Sequence, residues 1–163
     1  MHASSTLAAS LLFSLALAAD HVPVTIKNFD PGFDVNCGST TVVGRDIYNA
    51  VAWGMSLNEN GETLKAGNGE DKDKDYPSYY GNSEKFKWVS SECNNNPKAA
   101  TQHMPVIKGG FFGEDGNTDA GKFRAVYWYN YETDNEGHPL GYYCGTIWHS
   151  KNDGSFAGCD VLT

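Results

Sequence analysis

Four cysteines behind an apolar N-terminal stretch constrain this chain more than any other feature: Cys37, Cys93, Cys144 and Cys159. Residues 6–18 are almost all apolar or small, and the stretch ends in Ala16-Leu17-Ala18-Ala19. That is the pattern of a short secretory h-region followed by a small-residue cleavage site. It is too short to cross a bilayer, which takes roughly 20 apolar residues. Residues 1–19 therefore read as a signal peptide, and the protein as secreted and extracellular. An even cysteine count in that setting implies two disulfides, and the spacing alone leaves all three pairings open. Removing 19 residues from 163 leaves 144 in one domain, enough to bury a core. No later apolar run reaches the length of a membrane span, so no membrane partner is expected.

The charge balance is acidic, 12 Lys+Arg against 20 Asp+Glu, for a net charge of −8. Proteins that grip nucleic acid over a broad surface gain affinity by releasing counterions through many Lys and Arg contacts, and this chain lacks that surplus. Any RNA contact must come from a focused site. Nine Tyr, eight Phe, four Trp and 18 Gly suit a β-rich, loop-rich secreted domain better than a helical bundle.

One segment carries a helical period. Ile47, Ala50, Val51, Gly54 and Met55 recur at helical spacing, which predicts a helix over 43–57, stopped by Asn58-Glu-Asn-Gly61. Strands are expected at 21–26, 86–89, 101–107, 122–131 and 140–149, the last two rich in Val, Tyr and Trp. A turn is expected at 151–154, before a short final segment near Cys159. One helix followed by strands argues for an α+β fold with an antiparallel sheet. Asp71, Asp73 and Asp75 are spaced like the start of a calcium loop. Tyr76 stands where such a loop needs glycine, and Asn82 where it needs glutamate, so the run reads as a solvated charged loop. With no Cys-x-x-Cys pair and no His-Glu-x-x-His motif, neither a metal nor another cofactor is expected.

Strand alternation sorts the residues that could do chemistry. His103 shares a face with Thr101 and Pro105, Arg124 with Val126, Trp128 and Asn130, and His149 with Ile147, Gly145 and Tyr143. Antiparallel pairing would let His103, Arg124 and His149 converge on one face. Two imidazoles and a guanidinium form a base, an acid and an oxyanion clamp suited to a phosphodiester.

Four motifs occur in order: Tyr76-Pro-Ser-Tyr-Tyr80, Gln102-His-Met-Pro105, Phe123-Arg-Ala-Val126 and Cys144-Gly-Thr-Ile-Trp-His-Ser150. Together they resemble the fungal guanyl-specific ribonucleases and their larger relatives, the sarcin-like ribotoxins. The likeness runs from about Cys37 to Cys159, with residues 20–36 as an N-terminal extension and 37–163 as a ribonuclease-like domain. It implies one long helix packed on a twisted antiparallel sheet, closed by the disulfides Cys37–Cys159 and Cys93–Cys144. It also implies roles. His149 matches the general acid, Arg124 the phosphate-binding arginine and Tyr76 a tyrosine on the phosphate. Phe156 matches a phenylalanine lining that site, and Glu84 the glutamate that reads guanine, with Asn82 in the same loop.

The pattern departs from the family at the base. Ser78 stands where the family has an assisting histidine, and His103 where it has the glutamate general base. Ser83 replaces a tyrosine that stacks on guanine, and Gly81 an asparagine. A preserved scaffold with an eroded site resembles the secreted ribonuclease-like effectors of plant-pathogenic fungi. Those proteins bind RNA or host targets without necessarily cutting RNA. The first expectation is therefore a monomeric secreted effector that binds single-stranded or ribosomal RNA, or a host protein, with delivery into host cells. The second is an active endoribonuclease that cleaves after guanine by 2′-hydroxyl attack, with His103 as base and His149 as acid. A ribotoxin fits less well, because that family is basic.

Overall fold

The structure, a computed structural model, describes residues 21–69, 71–97, 100–151 and 154–160. The signal peptide read at 1–19 and part of the turn read at 151–154 lie outside them. In chain order the elements are β1 (Thr25–Lys27), β2 (Val35–Cys37), β3 (Thr40–Val42), α1 (Gly44–Asn60), β4 (Leu64–Lys65), β5 (Asp75–Tyr76) and β6 (Ser78–Tyr79). There follow α2 (Ser91–Asn95), β7 (Thr101–Pro105), β8 (Phe123–Thr133), β9 (Pro139–His149) and β10 (Phe156–Gly158).

Helix α1 buries the stripe expected of it, with Ile47, Val51 and Met55 fully covered. It runs one turn further than its apolar period, because the extra residues find partners on the sheet. Asn58 accepts a hydrogen bond from the Tyr127 hydroxyl at 3.0 Å, and Glu59 accepts one from Tyr129. Gly61 ends it at φ 66°, a left-handed conformation that costs glycine little. Its N–H bonds the Asn58 carbonyl, and the N–H of Glu62 bonds that of Leu57. At Gly54 the helix lies so close to β8 that a Cβ would stand 2.5 Å from the Tyr127 hydroxyl.

The main sheet has six strands in the order β1-β9-β8-β7-β6, with β10 also on β9. Its pairs are antiparallel except β1–β9, which is parallel, Thr25 facing Leu140 and Lys27 facing Tyr142. The sheet is thus mixed, not purely antiparallel. Strand direction is set by how the leader crosses the molecule, which alternation cannot report. Residues 86–89 form no strand. Asn94 holds them from the side, its Oδ1 accepting from the Trp88 N–H at 2.9 Å and its Nδ2 donating to the Trp88 carbonyl at 2.8 Å.

One face of the sheet carries Met104, Ala125, Tyr127, Tyr129 and Tyr143 against α1. The other carries Val126, Trp128, Cys144 and Ile147 under Tyr80 and Trp88. Alternation groups Tyr143 with Ile147 and His149, but the ladder slips between Val126/Tyr127, so that Val126 faces Gly145 while Tyr127 faces Tyr143. Cys144 is the unopposed residue of this bulge, which turns Tyr143 to the helix side. A second irregularity beyond Tyr129 leaves Asn130 exposed, away from Arg124. The disulfides are Cys37–Cys159 and Cys93–Cys144. Among the described residues no helix is long and apolar enough to cross a membrane.

Candidate functional site

Register brings the chemistry-bearing residues together on the face away from α1. His103 on β7 lies opposite Ser78 on β6 and Val126 on β8. Arg124 pairs with Pro105 and Ile147, and His149 at the end of β9 pairs with Phe156 on β10. Tyr76 ends β5, two residues before Ser78. His103, Arg124, His149 and Tyr76 thus meet at one place, the first three as strand alternation anticipates.

The cluster is closed. Arg124 is 0% exposed, Tyr76 0%, His149 4% and His103 7%. An arginine this deep needs every donor answered and its charge balanced. Its Nη1 donates to the carbonyls of Ala120 at 2.6 Å, Phe123 at 2.8 Å and Gly121 at 3.1 Å. Its Nε donates to the Tyr76 hydroxyl at 3.2 Å, and its Nη2 to the Asp71 carboxylate.

Asp71 corrects the reading of residues 70–75 as wholly solvated. Asp73 and Asp75 are exposed, but Asp71 turns inward and is 2% exposed. Its Oδ2 takes the hydroxyl hydrogen of Tyr76 at 2.6 Å as well as Arg124, and stands 3.5 Å from the His149 Nε2. Its Oδ1 takes the Lys74 ammonium at 2.5 Å. Burial alone would raise its proton affinity. Hydrogen bonds from Lys74, Tyr76 and Arg124, and the charge on Arg124, outweigh that and hold the carboxyl well below the usual range. Burial pushes the Tyr76 hydroxyl above its ordinary value, and the bond to Asp71 adds to the effect.

His103 sits in an aromatic frame. Tyr76 and Tyr80 lie with ring centroids 5.4 Å from it and Phe156 at 6.1 Å. Its Nε2 shares a 2.7 Å hydrogen bond with the Ser78 hydroxyl, while its buried Nδ1 has no hydrogen-bond partner among the described residues. Burial, reinforced by the charge on Arg124, lowers its proton affinity to about pH 3. The His149 ring lies against Phe156, centroids 4.1 Å apart and planes tilted by 34°.

The loop that carries Asn82 and Glu84 is also turned on itself. Glu84 Oε2 accepts from the Tyr80 hydroxyl at 2.9 Å and from Ser83 Oγ at 2.8 Å, and Oε1 from the Phe156 N–H at 3.3 Å. Despite some desolvation, these bonds lower its proton affinity. Asn82 clamps Phe86, accepting from its N–H at 2.8 Å and donating to its carbonyl at 2.9 Å. A neighbouring cavity of about 200 Å³ lies between Tyr80, Lys85, Trp88 and Asn94, and Glu84 does not line it. Among the described residues no group of His, Cys, Asp or Glu could hold a metal ion.

Asp71 is the residue that sequence reasoning missed. The only cue to it is chemical: a buried arginine in a strand must meet an anion, and the matched motifs supply none. No protein-family model and no curated protein matches this sequence.

Proposed function

We propose that this chain is a secreted ribonuclease-like protein that acts by binding a host target and does not cut RNA. One observation carries the reading: Arg124, the group a ribonuclease of this kind would offer to phosphate, is fully buried and paired with the chain's own Asp71. A substrate phosphate would have to displace that carboxylate and enter a closed cluster. Two further features point the same way. A base works best when its proton affinity lies near the working pH, and His103 sits far below it with Nε2 engaged by Ser78. Glu84 has both oxygens engaged within its own loop and by Phe156. The net charge of −8 favours a protein over RNA as the target.

The second reading, an endoribonuclease, draws on the convergence of His103, Arg124, His149 and Tyr76. In it His103 would take the 2′-hydroxyl proton as the oxygen attacks phosphorus. His149 would protonate the leaving 5′ oxygen, and Arg124 would hold the phosphoryl oxygens.

Cleavage of a guanine-containing dinucleotide decides between them, comparing wild type with His149→Ala. The binding reading expects no cleavage above the variant's level. Turnover that falls by about 10² or more in His149→Ala would establish the enzyme instead.

A further inference from the structure

The placement of Asp71 goes beyond a missing base. Three groups meet on one oxygen, Asp71 Oδ2: the Arg124 guanidinium, the Tyr76 hydroxyl at 2.6 Å and the His149 Nε2 at 3.5 Å. Lys74 holds the other oxygen at 2.5 Å. The polar groups of the cluster converge on a single point from three different elements, β5, β8 and β9. That is the geometry of an oxyanion site, and the anion in it belongs to the chain.

Asp71 reaches this point from a loop that has backbone bonds of its own. The loop closes the β4–β5 hairpin, with the Ala66 N–H bonded to the Lys74 carbonyl at 2.8 Å and the Asp73 N–H to the Ala66 carbonyl at 2.8 Å. Its outer side is tied to Thr118, whose carbonyl accepts from the Gly67 N–H at 3.0 Å. Arg124 and His149 are held without the loop, while Tyr76 sits on β5 at the foot of the hairpin, its hydroxyl also accepting from Arg124 Nε at 3.2 Å. Arg124 is positioned by the carbonyls of Ala120, Gly121 and Phe123, and His149 by its ladder to β10, its N–H also bonding the Lys122 carbonyl at 3.0 Å. Taking away the Asp71 side chain would therefore leave an oriented guanidinium, phenol and imidazole around an empty position.

We propose that Asp71 is a resident occupant of a phosphoryl-binding site, shutting it in cis, and that removing its carboxylate opens the site to a phosphate group. The inference rests on reading the cluster as a phosphate site now closed, and it names what closes it. The ligand chemistry is a tetrahedral phosphoryl oxyanion, which a free phosphate ion or an RNA backbone could supply.

The experiment uses Asp71→Ala in the full secreted chain with disulfides formed. Inorganic phosphate is titrated by calorimetry at constant ionic strength, with a short single-stranded RNA titrated in parallel. Wild type should bind neither. The variant should bind phosphate, RNA or both at least tenfold more tightly than wild type, and the two titrations tell which source the opened site takes. A folded variant that binds neither would overturn the proposal. If the variant does not fold in chloride buffer, its refolding yield in phosphate at equal ionic strength is measured. Rescue by phosphate supports the proposal, and failure to rescue overturns it. No cleavage is read in these titrations, so their failure is separate from failure of the binding reading, which the dinucleotide assay addresses.

Discussion

Acid should weaken this fold well above the range where its carboxylates titrate, and His103 is the reason. In the unfolded chain it takes up a proton near its ordinary value of 6.5, and in the folded chain only near 3. Between those values the unfolded state holds the extra proton, so lowering the pH favours unfolding. The penalty fades above pH 6.5 and reaches about 2 kcal/mol at pH 5, because pH 5 lies about 1.5 below the unfolded value and each pH unit there is worth about 1.36 kcal/mol. It saturates at about 5 kcal/mol below pH 3, a large share of a small domain's 5–15 kcal/mol. Asp71 and Glu84 have proton affinities lowered by folding, so they contribute stability above their ordinary values of 3.8 and 4.5 and lose it only as the pH falls below. A comparison of pH 7.5 with pH 5 therefore isolates the histidine range. Urea unfolding followed by tryptophan fluorescence, disulfides intact, should show wild type losing about 2 kcal/mol more across that interval than His103→Gln. The other histidines are common to both proteins and cancel. Equal losses in the two proteins would refute the reasoning, and His103 would then be protonated inside the fold without cost.

Two further outcomes follow from the packing and the disulfides. Gly54→Ala sets a methyl group 2.5 Å from the Tyr127 hydroxyl and should cost about 1–3 kcal/mol in urea unfolding, although alanine is the better helix former. Replacing Cys37 and Cys159 together by alanine opens a loop of 122 residues and should cost about 5 kcal/mol in the chain-entropy model, against about 4 for the 51-residue loop of Cys93–Cys144. Urea unfolding of the two double variants gives the order, and the reverse order would show that strain or residual structure outweighs loop length.

What could be read from the sequence was what local periodicity encodes. The apolar stripe of α1 and the alternating Val, Tyr and Trp of β8 and β9 located the elements to within a few residues, and with them the face that gathers His103, Arg124 and His149. The features that escaped depend on residues far apart in the chain. Tyr143 changes face because one residue bulges, which no repeat of two can anticipate. The direction of β1 depends on a partner 140 − 25 = 115 residues away. Asp71 looks like its neighbours Asp73 and Asp75, yet it meets an arginine 124 − 71 = 53 residues downstream. The four motifs named Tyr76, Arg124 and His149, but they carry no mark of the carboxylate that these three residues share.

The nested order of the cysteines also governs how such a chain can be completed as it is made, N-terminus first. Cys37 and Cys93 emerge long before either partner exists. The inner bond can close once Cys144 has appeared, together with the stretch of β9 that receives β1. The outer bond must wait for Cys159, the last cysteine of the chain. β1, the first strand among the described residues, is thus among the last to be seated. Until then Thr25–Lys27 and a free thiol at Cys37 are open to other chains, so the yield of native protein depends on how soon residues 140–159 arrive and seat them.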